Sequence, residues 1–356
     1  MAESQTFKGW VAHDESSADG NMKWEAYAPK SFEETDVEIE ISHCGVCGSD
    51  ISHLRSGWKP ADYPIVVGHE IVGRAARVGQ RVKGITIGDR VGVGAQCKAC
   101  LRPDCPMCSS DEEHHCQNEF VTTYDARFKD GSKAMGGYAT CWRGPAEFVF
   151  QIPEGIRSEV AAPMLCGGLT VYSPLIENGA GPGKRVGIVG VGGLGHFAIM
   201  FAKALKSDKV VAISRTSSKK DDAHSMGADD FIATSEEPDW MTKHASSLDL
   251  IISTVSGAGL ELEKYLALLD LKGTLIQVGA PEDPIPAFNA FALLKNNRKV
   301  GGSLIGSRKT CREMLELAAK ENVQAWVNVR PMSEANEAVV DMANGKARYR
   351  YVLANK

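Results

Sequence analysis

The chain has 356 residues, 43% of them hydrophobic and 24% charged, enough for one large domain or two ordinary ones. A formal net charge of −5 with no long basic run argues against a nucleic-acid footprint. The start of the chain is polar, without the apolar stretch of a signal peptide, and no run approaches the roughly eighteen apolar residues of a membrane span. A cytoplasmic protein with no membrane or nucleic-acid partner is therefore expected, and its ten cysteines read as reduced thiols or metal ligands more than as disulfides.

Residues 7–42 alternate apolar and polar, as in Val37-Glu38-Ile39-Glu40-Ile41, and predict strands with one solvated face. Cys44-Gly45-Val46-Cys47-Gly48-Ser49-Asp50 follows, and then Gly68-His69-Glu70-Ile71-Val72-Gly73. With the distant Cys166, Cys44 and His69 make a set of two thiolates and one imidazole for Zn²⁺, which leaves a tetrahedral vertex open for water or substrate. Residues 84–93 read as short strands joined at glycines. The first part as a whole predicts a mostly β domain.

Five cysteines then crowd between Cys97 and Cys116. Four of them suit a closed Cys₄ zinc site, holding together a lobe too short to bury a core. Cys97, Cys100, Cys105, Cys108 and Cys116 are the candidates, and their density points to a metal more strongly than to which four bind it. Asp104, Asp111, Glu112 and Glu113 make the lobe acidic, which counts against a zinc ribbon for nucleic acid.

From about residue 153 the pattern changes to alternating helices and strands. A helix over 158–166 delivers Cys166, and another covers 170–177. Lys184–Val189 is a buried strand running into Gly190-Val191-Gly192-Gly193-Leu194-Gly195, followed by an apolar helix to Leu205. A strand before and a helix after this glycine run are the context for a dinucleotide pyrophosphate at a helix start. The next strand, 209–213, ends in Ser214-Arg215-Thr216-Ser217-Ser218-Lys219-Lys220 rather than in a carboxylate. Hydroxyls and cations there favour a 2′-phosphate, hence NADP(H). Strands over 249–255, 273–279 and 299–307 complete a doubly wound parallel sheet. Thr254, Val278 and Ser303 fall at carboxyl ends, where a nicotinamide and its ribose would bind. A helix over 310–320, a strand-like 323–330, a helix near 334–344 and a final strand over 348–353 form a tail that rejoins the first domain. Arg348 and Arg350 read as edge-strand cations of no special role. His13, His43, His114, His115, His196, His224 and His244 read as ordinary solvated or structural residues.

The run Gly68-His69-Glu70, with Gly73, Gly79 and Val82 behind it, resembles the zinc signature of the medium-chain alcohol dehydrogenases, and later motifs resemble their cinnamyl alcohol dehydrogenase branch. The resemblance implies an α/β fold: a Rossmann doubly wound sheet (161–308) with a mostly β, GroES-like catalytic domain (1–160 plus 309–356). It implies NADP(H), two zinc ions per chain, an aldehyde or alcohol substrate and a homodimer joined through the nucleotide-binding sheet. It makes Cys44, His69 and Cys166 ligands of the catalytic zinc with Glu70 as an alternating ligand, and Cys47 a non-ligand. It favours Cys100, with Cys105, Cys108 and Cys116, for the structural zinc. Ser49 matches the hydroxyl that passes the proton, and Asp50 the acid that orients His69. Ser52 stands where relatives continue the relay with histidine, so either His53 or solvent completes it. Ser214, Arg215 and Lys219 match the phosphate-binding positions, and Thr170, Leu194 and Ile305 join the cofactor set. Trp58, Phe120 and Trp142 are candidates for a substrate wall. The function implied is reduction of aromatic or medium-chain aliphatic aldehydes with NADPH. The competing readings are an NAD-preferring polyol or formaldehyde-type dehydrogenase and a non-catalytic NADPH-binding protein.

Overall fold

A computed structural model describes residues 6–257 and 260–355. The chain forms two compact units, one of residues 1–166 with 307–356 and one of residues 167–306. Residues 161–166, expected in the second unit, thus belong with the first. The reason is packing: the helix Ser158–Pro163 lies on the strands Asp36–Gly45, Ile71–Val78 and Arg350–Ala354.

The first unit is built on a seven-stranded sheet. Its path runs Val149–Gln151, Arg90–Val93, Ile71–Val78, Asp36–Gly45, Arg350–Ala354 and Val327–Pro331, and Cys141–Pro145 also pairs with Asp36–Gly45. A three-stranded sheet of Lys23–Tyr27, Phe7–Ala12 and Ile65–Val66 completes the core. Alternation along Asp36–Gly45 aims Val37, Ile39 and Ile41 at that core. The tail enters this sheet, with Val352 opposite Gly45 and Leu353 opposite Cys44.

Residues 84–93 form a strand only over Arg90–Val93. Before it, Asp89 accepts the Thr86 backbone N–H at 2.8 Å, and this side-chain turn captures the segment before a ladder forms. Trp142, a candidate substrate wall, is instead fully packed among Val37, Ile39 and their neighbours.

The second unit is a six-stranded parallel sheet in the order Asp230–Ala233, Lys209–Ser214, Arg185–Val189, Leu248–Ser253, Leu269–Gln277, Lys299–Gly302. Numbered along the chain this is 3-2-1-4-5-6, the doubly wound order whose ligand crevice lies where the winding reverses, beside the first strand. The Asp230–Ala233 strand was not among the expected elements. The central strands each carry a buried apolar run (Val186–Val189, Val210–Ile213, Leu250–Ile252), as strands covered on both faces must. The Ser158–Glu177 helix does have the length and apolar composition of a membrane span, contrary to expectation, yet 89% of that window is buried inside the fold, as in a core helix.

Truncating Trp142 should leave a large cavity. Trp142→Ala is expected to lower unfolding stability by about 3–5 kcal/mol in chemical denaturation; a loss under about 1 kcal/mol would show that the side chain is not core.

Candidate metal centres and nucleotide site

Four ligand groups meet in the first unit: Cys47, His69, Glu70 and Cys166, all buried, with ligand atoms within 4.8 Å of one another. Cys44 is not among them. It is fully buried, its sulfur lies 3.6 Å from the Gly45 carbonyl, and it packs beneath Gly68 and Gly137. The expected ligand set is corrected accordingly, with Cys47 in place of Cys44. The physical reason is the end of the strand. Cys44 still belongs to Asp36–Gly45 and points into the core, whereas Cys47 precedes the helix Gly48–Leu54 in an extended conformation that turns its sulfur aside. The sequence did carry a signal for this. Asp50 stands three residues after Cys47, the spacing at which a side chain caps the backbone before a helix.

Asp50 holds the site together. Its Oδ2 accepts the Cys47 backbone N–H at 2.9 Å and the Tyr138 hydroxyl at 3.0 Å. Its Oδ1 accepts the Gly68 N–H at 3.1 Å and lies 3.4 Å from His69 Nδ1. Tyr124 places its hydroxyl 3.1 Å from the same nitrogen and stacks on the His69 ring. With Nδ1 engaged, Nε2 presents its lone pair, and it has no hydrogen-bond partner. Burial alone would depress the His69 pKa, but the Asp50 carboxylate outweighs it and the net shift is upward. A hydrogen bond from Cys166 holds the Cys47 thiol well below its ordinary range, and the same contact pushes Cys166 up. Cys166 itself sits in a π-turn, Met164–Gly168, between two helical segments, a distortion found often at functional positions.

Glu70 is fully buried and ion-paired through Oε1 with Arg350, while its Oε2 has no partner. Burial pushes its pKa up to about 7, and Arg350 opposes the shift. A Cβ at Gly45 would lie 1.9 Å from Oε2, so only glycine leaves room for this carboxylate. Arg350 was read as an unremarkable edge cation. The structure corrects this, since its strand is interior and its side chain is 2% exposed. Two sulfurs, one orphaned imidazole nitrogen and one orphaned carboxylate oxygen form a donor set suited to zinc.

Ser49 lies 3.7 Å from the Cys47 sulfur. His53 is held by Asp125 at 2.8 Å and meets Tyr124 and Trp58 edge-on. Trp58 and Phe120 are 40% and 38% exposed. An open groove of about 1160 Å³ in this unit, lined by Arg81, Arg90 and Arg312 among others, shares no residue with the donor cluster.

The lobe brings Cys100, Cys105, Cys108 and Cys116 within 4.8 Å of one another. Sulfur separations of 3.5 Å (Cys100–Cys116), 3.7 Å (Cys100–Cys108) and 3.9 Å (Cys105–Cys116) are far beyond a disulfide bond. They match the roughly 3.8 Å edge of a tetrahedron with Zn–S bonds near about 2.3 Å. Cys97 is left out, buried 3.4 Å from the Thr122 carbonyl.

In the second unit, Gly190 has a φ of 90° and a Cβ on Gly195 would lie 1.8 Å from the Gly190 carbonyl, so both positions need glycine. Gly192 has open space above it, and Gly193 and Leu194 complete the turn before the helix Gly195–Ala204. Thr254, expected against the cofactor, braces this turn with its hydroxyl 2.9 Å from both the Val189 and Gly190 carbonyls. Lys219 reaches back to donate to the Val191 carbonyl at 2.7 Å, placing it beside the turn and beyond Ser214 and the exposed Arg215. Val278, Ser303 and Ile305 follow the carboxyl ends of the last two strands, and Thr170 lies in the Leu169–Glu177 helix.

Two family descriptions match the chain: an alcohol dehydrogenase GroES-like domain over residues 33–154 and a zinc-binding dehydrogenase domain over residues 193–320. NADP-dependent alcohol dehydrogenase 6 of Saccharomyces cerevisiae is 41% identical over 338 residues, covering 94% of this chain and 92% of that protein. The chain belongs to the zinc-dependent medium-chain alcohol dehydrogenases. Cinnamyl alcohol dehydrogenase 2 of Rauvolfia serpentina is 40% identical, covering 97% of this chain and 94% of the relative. Among solved structures, a cinnamyl alcohol dehydrogenase from Sorghum bicolor aligns with a TM-score of 0.92 at 36% identity, and the Helicobacter pylori enzyme complexed with NADP(H) with 0.89 at 34%; each alignment covers 98% of both chains. Family membership gives both cysteine-containing clusters a reason to hold zinc.

The choice between Cys44 and Cys47 has a direct readout. Elemental analysis of Cys47→Ser should show the loss of about one zinc per chain, while Cys44→Ser keeps about two. The reverse pattern would restore Cys44 as the ligand.

Proposed function

We propose that this protein is an NADP(H)-dependent zinc alcohol dehydrogenase that interconverts alcohols and aldehydes, taking aromatic aldehydes of cinnamyl or benzyl type and medium-chain aliphatic ones. The reading is carried by one observation: His69 Nε2 is orphaned beside two thiols while Asp50 and Tyr124 occupy its other nitrogen. When bound, the metal supplies a Lewis acid for the carbonyl oxygen and NADPH supplies the hydride. Cys47, His69 and Cys166 hold the metal, and Asp50 fixes the tautomer and tilt of the imidazole. Glu70, tethered by Arg350, is the carboxylate available as a further donor. In this reading Ser49 exchanges the proton with substrate oxygen, and His53, steadied by Asp125, or solvent carries it onward. Trp58 and Phe120 offer aromatic faces to the substrate. Cys100, Cys105, Cys108 and Cys116 hold the structural zinc.

The cofactor preference rests on Ser214, Arg215 and Lys219. A carboxylate there would bond a ribose hydroxyl and repel a 2′-phosphate; a hydroxyl and two cations do the opposite. The NADP-dependent alcohol dehydrogenase of Saccharomyces cerevisiae and the Helicobacter pylori enzyme complexed with NADP(H), both similar to this chain, support the same choice. Ten cysteines, none in a disulfide, support a reducing compartment, the cytoplasm.

The test is aldehyde-dependent oxidation of NADPH over a panel of cinnamyl, benzyl and straight-chain aldehydes, repeated with NADH. Activity with NADPH far above that with NADH is expected, and no turnover of any aldehyde would remove the reading. Replacing Ser214 and Arg215 together by Asp should raise KM for NADPH by about tenfold or more, with little effect on NADH. Unchanged NADPH kinetics would mean the phosphate lies elsewhere.

We also propose a homodimer joined along the last strand of the parallel sheet. Lys299–Gly302 is an edge, and Phe291, Leu294 and Leu304 near it are 73%, 68% and 52% exposed. An uncovered edge flanked by large apolar side chains invites pairing. Sedimentation should find a dimer, and Phe291→Glu with Leu294→Glu should shift it to monomer; a wild-type monomer at micromolar concentration would overturn this.

A further inference from the structure

A third group of ligand-type side chains lies outside both cysteine-containing centres. Glu112, His114 and His115 each place one ligand atom within 4.8 Å of the others. They sit just ahead of Cys116 but use none of the lobe's sulfurs. Glu112 precedes a single 3-10 turn, Glu113–His115. Glu113 is anchored inward: its carboxylate accepts the Arg308 backbone N–H at 2.6 Å and Nε at 3.1 Å, and its carbonyl accepts from Gln96 at 3.1 Å.

With Glu113 committed to the interior, the residues around it converge. His114 Nε2 lies 3.3 Å from Glu112 Oε2. The two imidazole centroids are 4.2 Å apart, with the rings tilted by 44°. His114 is buried, His115 is exposed, and the Glu112 side chain is 47% exposed. In a tetrahedral site with bonds near about 2.1 Å, neighbouring donors stand about 3.4 Å apart. The edge between Glu112 and His114 already has that length. The other donor pairs, no more than 4.8 Å apart, need to close by about 1.4 Å at most to reach it.

We propose that Glu112, His114 and His115 form a third divalent-cation site of imidazole–carboxylate type. Two imidazoles select Zn²⁺, Ni²⁺, Co²⁺ or Cu²⁺ over Mg²⁺ and Ca²⁺, which prefer all-oxygen shells. Three protein donors leave the remaining positions to water, and two of those donors face solvent. The ion is therefore exchangeable, unlike one enclosed by four thiolates. Its binding ties Glu112 to His115 and clamps the turn that leads into Cys116. This site stands independently of the proposed reaction, because none of its residues takes part in it.

The test uses tag-free protein with its two zinc ions in place, titrated with Ni²⁺ and followed by calorimetry and elemental analysis. One Ni²⁺ per chain should bind at micromolar free metal with both zinc ions retained. Glu112→Ala and His115→Ala should each weaken it about tenfold or more, and His13→Ala should not. Retained zinc in each variant shows that the lobe still folds. A second readout needs no variant: the absorption of bound Ni²⁺ should lack thiolate charge-transfer bands. Absence of a Ni²⁺ equivalent, equal affinity in the variants, thiolate bands or displacement of zinc would each overturn the site.

Discussion

One buried carboxylate organises the catalytic end of the first unit. Asp50 is fully buried and bonds to the backbone of Cys47, the backbone of Gly68, the hydroxyl of Tyr138 and the edge of His69. These partners come from a helix start, a loop before a strand and a distant connection. A buried charge is costly unless its lone pairs are filled, so the fold reaches its minimum only when all these segments are in place. The same bonds set the imidazole tautomer. Folding and preorganisation of the metal centre are thus one event, and the site needs little rearrangement to accept an ion.

The second constraint comes from the far end of the chain. Arg350 lies on a strand paired directly with the strand that carries Cys44 and Gly45, and its guanidinium meets Glu70. A lone buried carboxylate next to two thiols would not stay ionised. With Arg350 beside it, one oxygen is tied down and the other is left without a partner. The C-terminal strand therefore supplies more than edge coverage. Removing either partner would strand a buried charge, which typically costs about 3–5 kcal/mol. Gly45 completes the arrangement, since any side chain there would occupy the space of the carboxylate.

Much of this was legible in the residue pattern, and the exceptions have physical causes. The glycine turn and its neighbouring strand and helix were readable because glycine is required where chain segments approach as closely as Gly190 and Gly195 do. The cysteine lobe was readable from density alone, yet choosing Cys100 over Cys97 turned on which sulfur leaves the strand Gln96–Ala99. Cys44 and Cys47 present the same problem with the opposite outcome. Spacing cannot say which of two thiols points inward; the register of Asp36–Gly45 can, and it follows from pairing with Ile71–Val78 and Arg350–Ala354. Arg350 was misjudged for the same reason, because a strand near a chain end looks like an edge until its second neighbour is known. The Asp230–Ala233 strand escaped notice because four residues opening with an aspartate carry too little periodicity.

The cysteine lobe shows how a short segment is made rigid without a core of its own. Apart from its sulfurs, its buried apolar contacts reduce to Ala99 and Phe148 with a few partly covered neighbours, far too little to order so long a loop against chain entropy. Four thiolates at tetrahedral separations replace that missing core when zinc binds. Glu113 fastens the lobe to the helix Arg308–Lys320 through Arg308, whose guanidinium also lies over Phe148. That anchor turns Glu113 inward, and so the residues on either side of it are presented outward together. A structural requirement of the lobe thereby produces the arrangement of Glu112, His114 and His115.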